Sequence, residues 1–156
     1  MLSRYRRTLI TTALVTCLSG VNTSRADEIT IENAWVRSAP PVATVLAGYM
    51  TIHNHSDKAV TLTAVNSPAF ESVELHRTMM HNGMMHMEAI NSLVIEGNAT
   101  VKFEPSSYHL MLNNPKQKIN TGDTIPFTLS FDGATQKVDA VVKQDDEQDS
   151  AHHHHH

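Results

Sequence analysis

From Glu28 to Lys143 apolar and polar residues alternate. The runs EITIENAWV, VLAGYMTIHN, AVTLTAV, SVELHRTMM, MMHMEAI, ATVKFEP, YHLMLN, TIPFTLSF and KVDAVVK exchange character at nearly every position and are rich in β-branched residues. A period of two places successive side chains on opposite faces of a strand. Between the runs lie SAPP, HSDK, NSPAF, HNG, EGN, PSS, NPKQKINTGD and DGA, clusters of Gly, Pro, Asn and Asp that turn a chain. No stretch sustains a 3.6-residue apolar period, so no helix is expected. Eight or nine short strands in about 115 residues predict an all-β domain, an antiparallel β-sandwich or Greek-key barrel.

Both ends depart from this pattern. Arg4, Arg6 and Arg7 precede the apolar run LITTALVTCLSGV, and SRA ends at Ala26 with the small residues that signal peptidase accepts. Residues 1–26 therefore read as a cleaved signal peptide, with the mature chain beginning at Asp27 and no membrane insertion of that mature chain, since the apolar run is short and broken by Thr and Ser. Arg6-Arg7 resembles a twin-arginine signal only loosely, which leaves that route and general secretion both open. From Gln144 onwards, QDDEQDSAHHHHH is acidic and then polyhistidine, a composition that does not build a core. Residues 144–156 are expected to be a disordered tail: a purification tag, or a native arm that collects metal. The folded domain is bounded at 27–143.

Composition narrows the chemistry. Cys17, the only cysteine, leaves with the signal, and its setting LVTC is a poor lipobox because Thr16 stands where Gly or Ala is wanted. A mature chain without thiols excludes a disulfide scaffold, a cysteine enzyme and a blue-copper electron carrier. The signal also removes four of the 12 Lys+Arg and none of the 16 Asp+Glu, leaving a net charge near −8. That charge argues against nucleic acid and anionic membranes as partners and suits a cation. No nucleophile and base stand at a legible spacing, so an enzyme is not expected.

The candidate chemistry is concentrated in HRTMMHNGMMHM, His76 to Met87, with five methionines and three histidines in twelve residues. Asn82-Gly83 between strand-like flanks is a hairpin signal, because a type I′ turn needs positive φ at both positions. Centred there, the hairpin carries His76, Thr78, Met80, Met85 and Met87 on one face, with His76 and Met87 as diagonal neighbours. The other face carries Arg77, Met79, His81, Met84, His86 and Glu88. In YHLML, His109 and Met111 share a strand face, pointing outward if Leu110 and Leu112 point inward. Methionines on strands usually fill core gaps, but a hairpin tip is not where a core needs deformable filler. Thioethers and imidazoles together are soft neutral donors that select Cu(I) over Zn(II), Mg(II) or Ca(II).

The spacing His76-x10-Met87-x21-His109-x-Met111 resembles the ligand pattern of the periplasmic copper chaperones of the PCu(A)C family. IENAWVRSAPP, AGYMTIHN, GMMHM, PSSYHLML and TGDTIPFTLSF agree with that family, so the resemblance covers about residues 28–142. It implies a cupredoxin-like β-sandwich in the periplasm, with His76, Met87, His109 and Met111 as ligands of an exposed Cu(I). It also implies delivery to the binuclear copper centre of cytochrome c oxidase subunit II, alongside a Sco-type thiol protein. Met80 and Met85 are candidate spare thioethers. His81 and His86, with Met79 and Met84, are either a secondary metal site, suited to Cu(II) through the two histidines, or exposed residues without a role. An alternative function is periplasmic copper buffering or resistance with no dedicated client. Intact mass of the protein recovered from its exported fraction should correspond to a chain starting at Asp27, whereas a lipidated Cys17 at the amino terminus would overturn the cleavage site.

Overall fold

The computed structural model describes residues 28–145, so the expected leader and the tail beyond Asp145 lie outside the described residues. Ten strands follow one another: β1 (Ile29–Arg37), β2 (Val45–Asn54), β3 (Val60–Asn66), β4 (Phe70–His81), β5 (Met84–Ile90), β6 (Leu93–Ile95), β7 (Thr100–Phe103), β8 (Tyr108–Pro115), β9 (Thr124–Phe131) and β10 (Ala134–Lys143). No α-helix occurs among the described residues. Nine strands coincide with runs of alternation. The tenth, β6, is only LVI, too short for a period to register, yet Leu93 and Ile95 both reach the core.

The hydrogen-bonded order is β5-β4-β8-β7-β2-β1-β10-β9-β3-β6, with β8 also paired to β2. Leu75 and Leu110, near one end of that order, belong to the same buried cluster as Leu62 and Ile95 near the other. A sheet can bury both ends in one core only by curling into two facing layers. The result is the expected all-β, cupredoxin-like sandwich. Pairing is mostly antiparallel, but β1 and β10 run parallel and β7 makes one parallel bridge to β8. β1 and β10 are the two ends of the domain, so no hairpin forces them to oppose each other.

Two local features set the frame for the outer face. In β1 the pairing shifts between Glu32 and Trp35, and Asn33 adopts a φ of 52°. This bulge adds one residue and so reverses which alternate side chains point inward. Ile29 before it and Val36 after it both reach the core, and Trp35 and Arg37 are carried to the outer face. At the far end of β2, buried Asn54 donates through Nδ2 to the carbonyls of Lys58, Ile95 and Glu96, and its Oδ1 accepts from the Ser56 amide and hydroxyl. This one amide ties β2 to the end of β6. Asn54→Ala should lower unfolding stability by on the order of 3 kcal/mol, because buried carbonyls would lose their donor; a urea midpoint unchanged from wild type would contradict the clamp.

Candidate metal centre

The candidate site is built on β4 and its two neighbours. Asn82 and Gly83 have φ of 50° and 75°, the paired left-handed conformations of a type I′ turn, which glycine adopts without strain. The turn sets His81 opposite Met84, Met80 opposite Met85, Met79 opposite His86, Thr78 opposite Met87 and Arg77 opposite Glu88. This is the register expected from the sequence. On the other side of β4, Leu75 lies opposite Leu110 and His76 opposite His109. Both leucines sink into the core, so strand alternation turns both histidines to the outer face. Met111, two residues beyond His109, shares that face.

His76, Met87, His109 and Met111 thus stand on one side of three adjacent strands. Met87, His109 and Met111 border a cavity of about 460 Å³, together with Met85, Thr78, Ala47, Tyr49 and Arg37. His76 is outside that lining but beside His109, with ring centres 5.8 Å apart. An imidazole nitrogen about 2 Å from a metal puts its ring centre about 3 Å away, so two rings on one ion stand no more than about 6 Å apart. The exposures differ sharply. Met87 is 63% exposed and His109 only 6%. His109 does point away from the core as expected, but β8 is paired to β4 on one side and β2 on the other, inside the sheet, and the side chain is buried there.

The hydrogen bonds identify the free nitrogen of each ring. His109 Nδ1 lies 3.1 Å from the Ser107 carbonyl; a carbonyl only accepts, so Nδ1–H donates and Nε2 keeps the lone pair. His76 Nε2 lies 3.0 Å from Glu74 Oε2, so Nε2–H donates to the carboxylate and the lone pair falls on Nδ1. That Nδ1 is buried and has no hydrogen-bond partner. A buried lone pair left unpaired is costly, and the neighbouring thioethers have no proton to offer it. Oxygen acceptors on the far nitrogen of a metal-binding histidine are the usual means of fixing its tautomer. The donor set fits a soft, weakly charged cation.

Comparison with known proteins places the domain as a whole. The family model described as "Putative lipoprotein LpqE-like" matches residues 29–142. The chain belongs to the LpqE-like family. The uncharacterized protein RP573 of Rickettsia prowazekii is 36% identical over 93 residues, which is 59% of this chain and 51% of that protein, so the chain spans about half of its length. The Cu(I)-bound solution structure of DR1885 from Deinococcus radiodurans is 32% identical with a TM-score of 0.62, covering 74% of this chain and 78% of that one. A copper-bound PCuAC domain from PmoF2, at 24% identity and a TM-score of 0.64 over 76% of this chain and 94% of that one, shares the fold. The PCu(A)C resemblance read from the sequence is thereby shown.

This LpqE-like domain has a second wall that sequence reasoning missed. Arg37 stacks its guanidinium 5.4 Å from the Tyr49 ring centre, Tyr49 packs on Trp35 at 4.6 Å, and Lys143 Nζ lies 5.0 Å over Trp35. Burial raises the Tyr49 hydroxyl above its ordinary value, opposed by Arg37 and aided by Asp145. Asp145 accepts a hydrogen bond from Arg37 Nη2, so the first residues of the expected tail lie against the domain. AWVR and AGYM held the signal for this wall, but its assembly depends on the unforeseen bulge at Asn33.

The secondary candidates divide between two faces of the hairpin. Met80 and Met85 lie on the front with Met87, and Met85 alone of the two borders the cavity. His81 and His86 lie on the back, ring centres 6.2 Å apart, so these two pairs cannot share an ion. The whole arrangement depends on the turn. Gly83→Val should cost about 1–2 kcal/mol in the left-handed region and weaken the Thr78–Met87 cross-strand NOE while the core resonances stay folded; an undisturbed NOE would show that the register is set elsewhere.

Proposed function

We propose that this chain is an exported Cu(I) carrier in which His76, Met87, His109 and Met111 hold the ion. Met85 and Met80 serve as adjacent thioethers through which it enters or leaves. The reading rests above all on the buried, unpartnered Nδ1 of His76 beside the free Nε2 face of His109. Two neutral imidazoles and two thioethers leave a bound Cu(I) carrying its own single charge, a poor match for zinc or for hard divalent ions. Family membership supports the reading, as does 32% identity to a protein whose solution structure is of the Cu(I)-bound form. Export is supported by the leader-like residues 1–26 and by a family described in terms of lipoproteins.

Transfer follows from ligand strength. A thiolate binds soft copper more strongly than a thioether does, so an acceptor rich in cysteine draws the ion away by associative exchange. The exposed Met87 and Met85 meet the acceptor before buried His109 does. The client that fits is the binuclear copper centre of cytochrome c oxidase subunit II, served together with a Sco-type thiol protein. A second reading, a periplasmic copper buffer, is favoured by the exposed methionines Met80 and Met84, which exceed what one site needs.

The test is an anaerobic Cu(I) titration followed by transfer to a dithiol acceptor. Met87→Leu and Met111→Leu should each weaken Cu(I) binding about tenfold or more, roughly 1.4 kcal/mol per tenfold. Glu74→Ala should weaken it by about tenfold through the orientation of His76. Retention of copper at equimolar dithiol would overturn the donor role, and unchanged affinity in the methionine variants would overturn the ligand set.

A further inference from the structure

The back of the hairpin is unused by this reading, yet its side chains form a set of the same composition. Met79 lies opposite His86 and His81 opposite Met84. Residues two apart on a strand share a face, so these four side chains occupy the corners of one rectangle on the two-stranded ribbon. All four are exposed. Opposite Cβ atoms of such a rectangle are about 5 Å apart and neighbours along a strand about 7 Å. An ion above its centre is therefore about 4 Å, measured in the plane, from each corner, while a methionine sulfur or an imidazole nitrogen with its metal bond reaches about 5 Å from Cβ. The His81 and His86 ring centres, 6.2 Å apart and nearly perpendicular at 68°, stand at the span of two imidazoles on either side of one ion.

We propose that Met79, His81, Met84 and His86 form a second Cu(I) site on the opposite face of the hairpin from His76 and Met87. The next pair along this face, Arg77 and Glu88, is joined by a hydrogen bond of 3.1 Å from Arg77 Nε to Glu88 Oε1 and by a second from Nη2. The guanidinium thus offsets the charge of the carboxylate next to the four side chains. With two thioethers and no anionic donor, the set suits Cu(I) rather than the Cu(II) that two histidines alone would suggest. The ribbon separates the two faces, so this site loads without displacing a ligand of the front one. Its exposure makes it the weaker and faster-exchanging of the two.

The experiment is NMR of full-length protein labelled with methyl-¹³C methionine, titrated anaerobically with Cu(I) added as its acetonitrile complex. The first equivalent should shift the Met87 and Met111 methyls, and the second should shift Met79 and Met84. The tail contains no methionine, so copper held by its histidines moves none of these signals. Sulfur coordination counted by X-ray absorption should fall from two thioether-bound ions to one in Met79→Leu/Met84→Leu. The same measurement should leave one such ion, on the back, in Met87→Leu/Met111→Leu. Met79 and Met84 methyls unmoved at saturating Cu(I), or a count unchanged by Met79→Leu/Met84→Leu, would overturn the second site. If Met87 and Met111 stay still while Met79 and Met84 shift, the back site stands and the front-site reading fails.

Discussion

The register of β4 governs everything that the outer face can do. Leu75 and Leu110 are paired and buried, and each side chain removed from water contributes on the order of 2 kcal/mol. A slip of one residue would expose one of the leucines, and would also turn one of the paired histidines inward. On the other edge of the same strand, two left-handed residues at Asn82 and Gly83 lock β5 in place. Hydrophobic burial on one side and turn stereochemistry on the other thus fix one strand twice. His76 is held between Met87 and His109 as a consequence of both.

The hairpin can be soft because the core does not depend on it. From Met84 to Ala89, β5 presents no buried residue, and β4 becomes exposed from Met79 onward. The stability of the domain resides elsewhere, in residues such as Phe127, Leu129 and Ile52, and in the Asn54 clamp. An edge strand with exposed apolar side chains ordinarily invites unwanted pairing. Here His86 and Glu88 interrupt it, Glu88 lying opposite Arg77 of β4. The long, flexible thioethers that remain are suited to changing partners, which a rigid core residue is not.

The site is graded from inside to outside. His109 is buried and tied to the Ser107 carbonyl, which also accepts the Thr78 amide. His76 is oriented by Glu74, and Met87 is open to solvent. The proposed ligand set, fixed at its imidazole end and loose at its thioether end, would hold an ion yet expose it to attack from one side. Arg37 and Tyr49 border the cavity opposite the hairpin, and Trp35 packs on Tyr49. Arg37 is itself bonded to Asp145, which offsets its charge where a cation is to be received.

Much of this was legible in the residues alone. Alternation predicted nine of the ten strands because a period of two is written locally, and Asn82-Gly83 predicted the hairpin register because its turn type depends on two residues only. The spacing of His76, Met87, His109 and Met111 carried the family resemblance. Pairings between distant strands leave no such local trace. That His76 meets His109, that β1 runs parallel to β10, and that the Asn33 bulge carries Arg37 to the cavity and Trp35 onto Tyr49 were decided by the tertiary structure. The sequence could say that His109 points away from the core, since Leu110 and Leu112 point in. Only the packing of β4 and β2 on either side of β8 decided that it would be buried, because burial depends on neighbours that the chain brings from elsewhere.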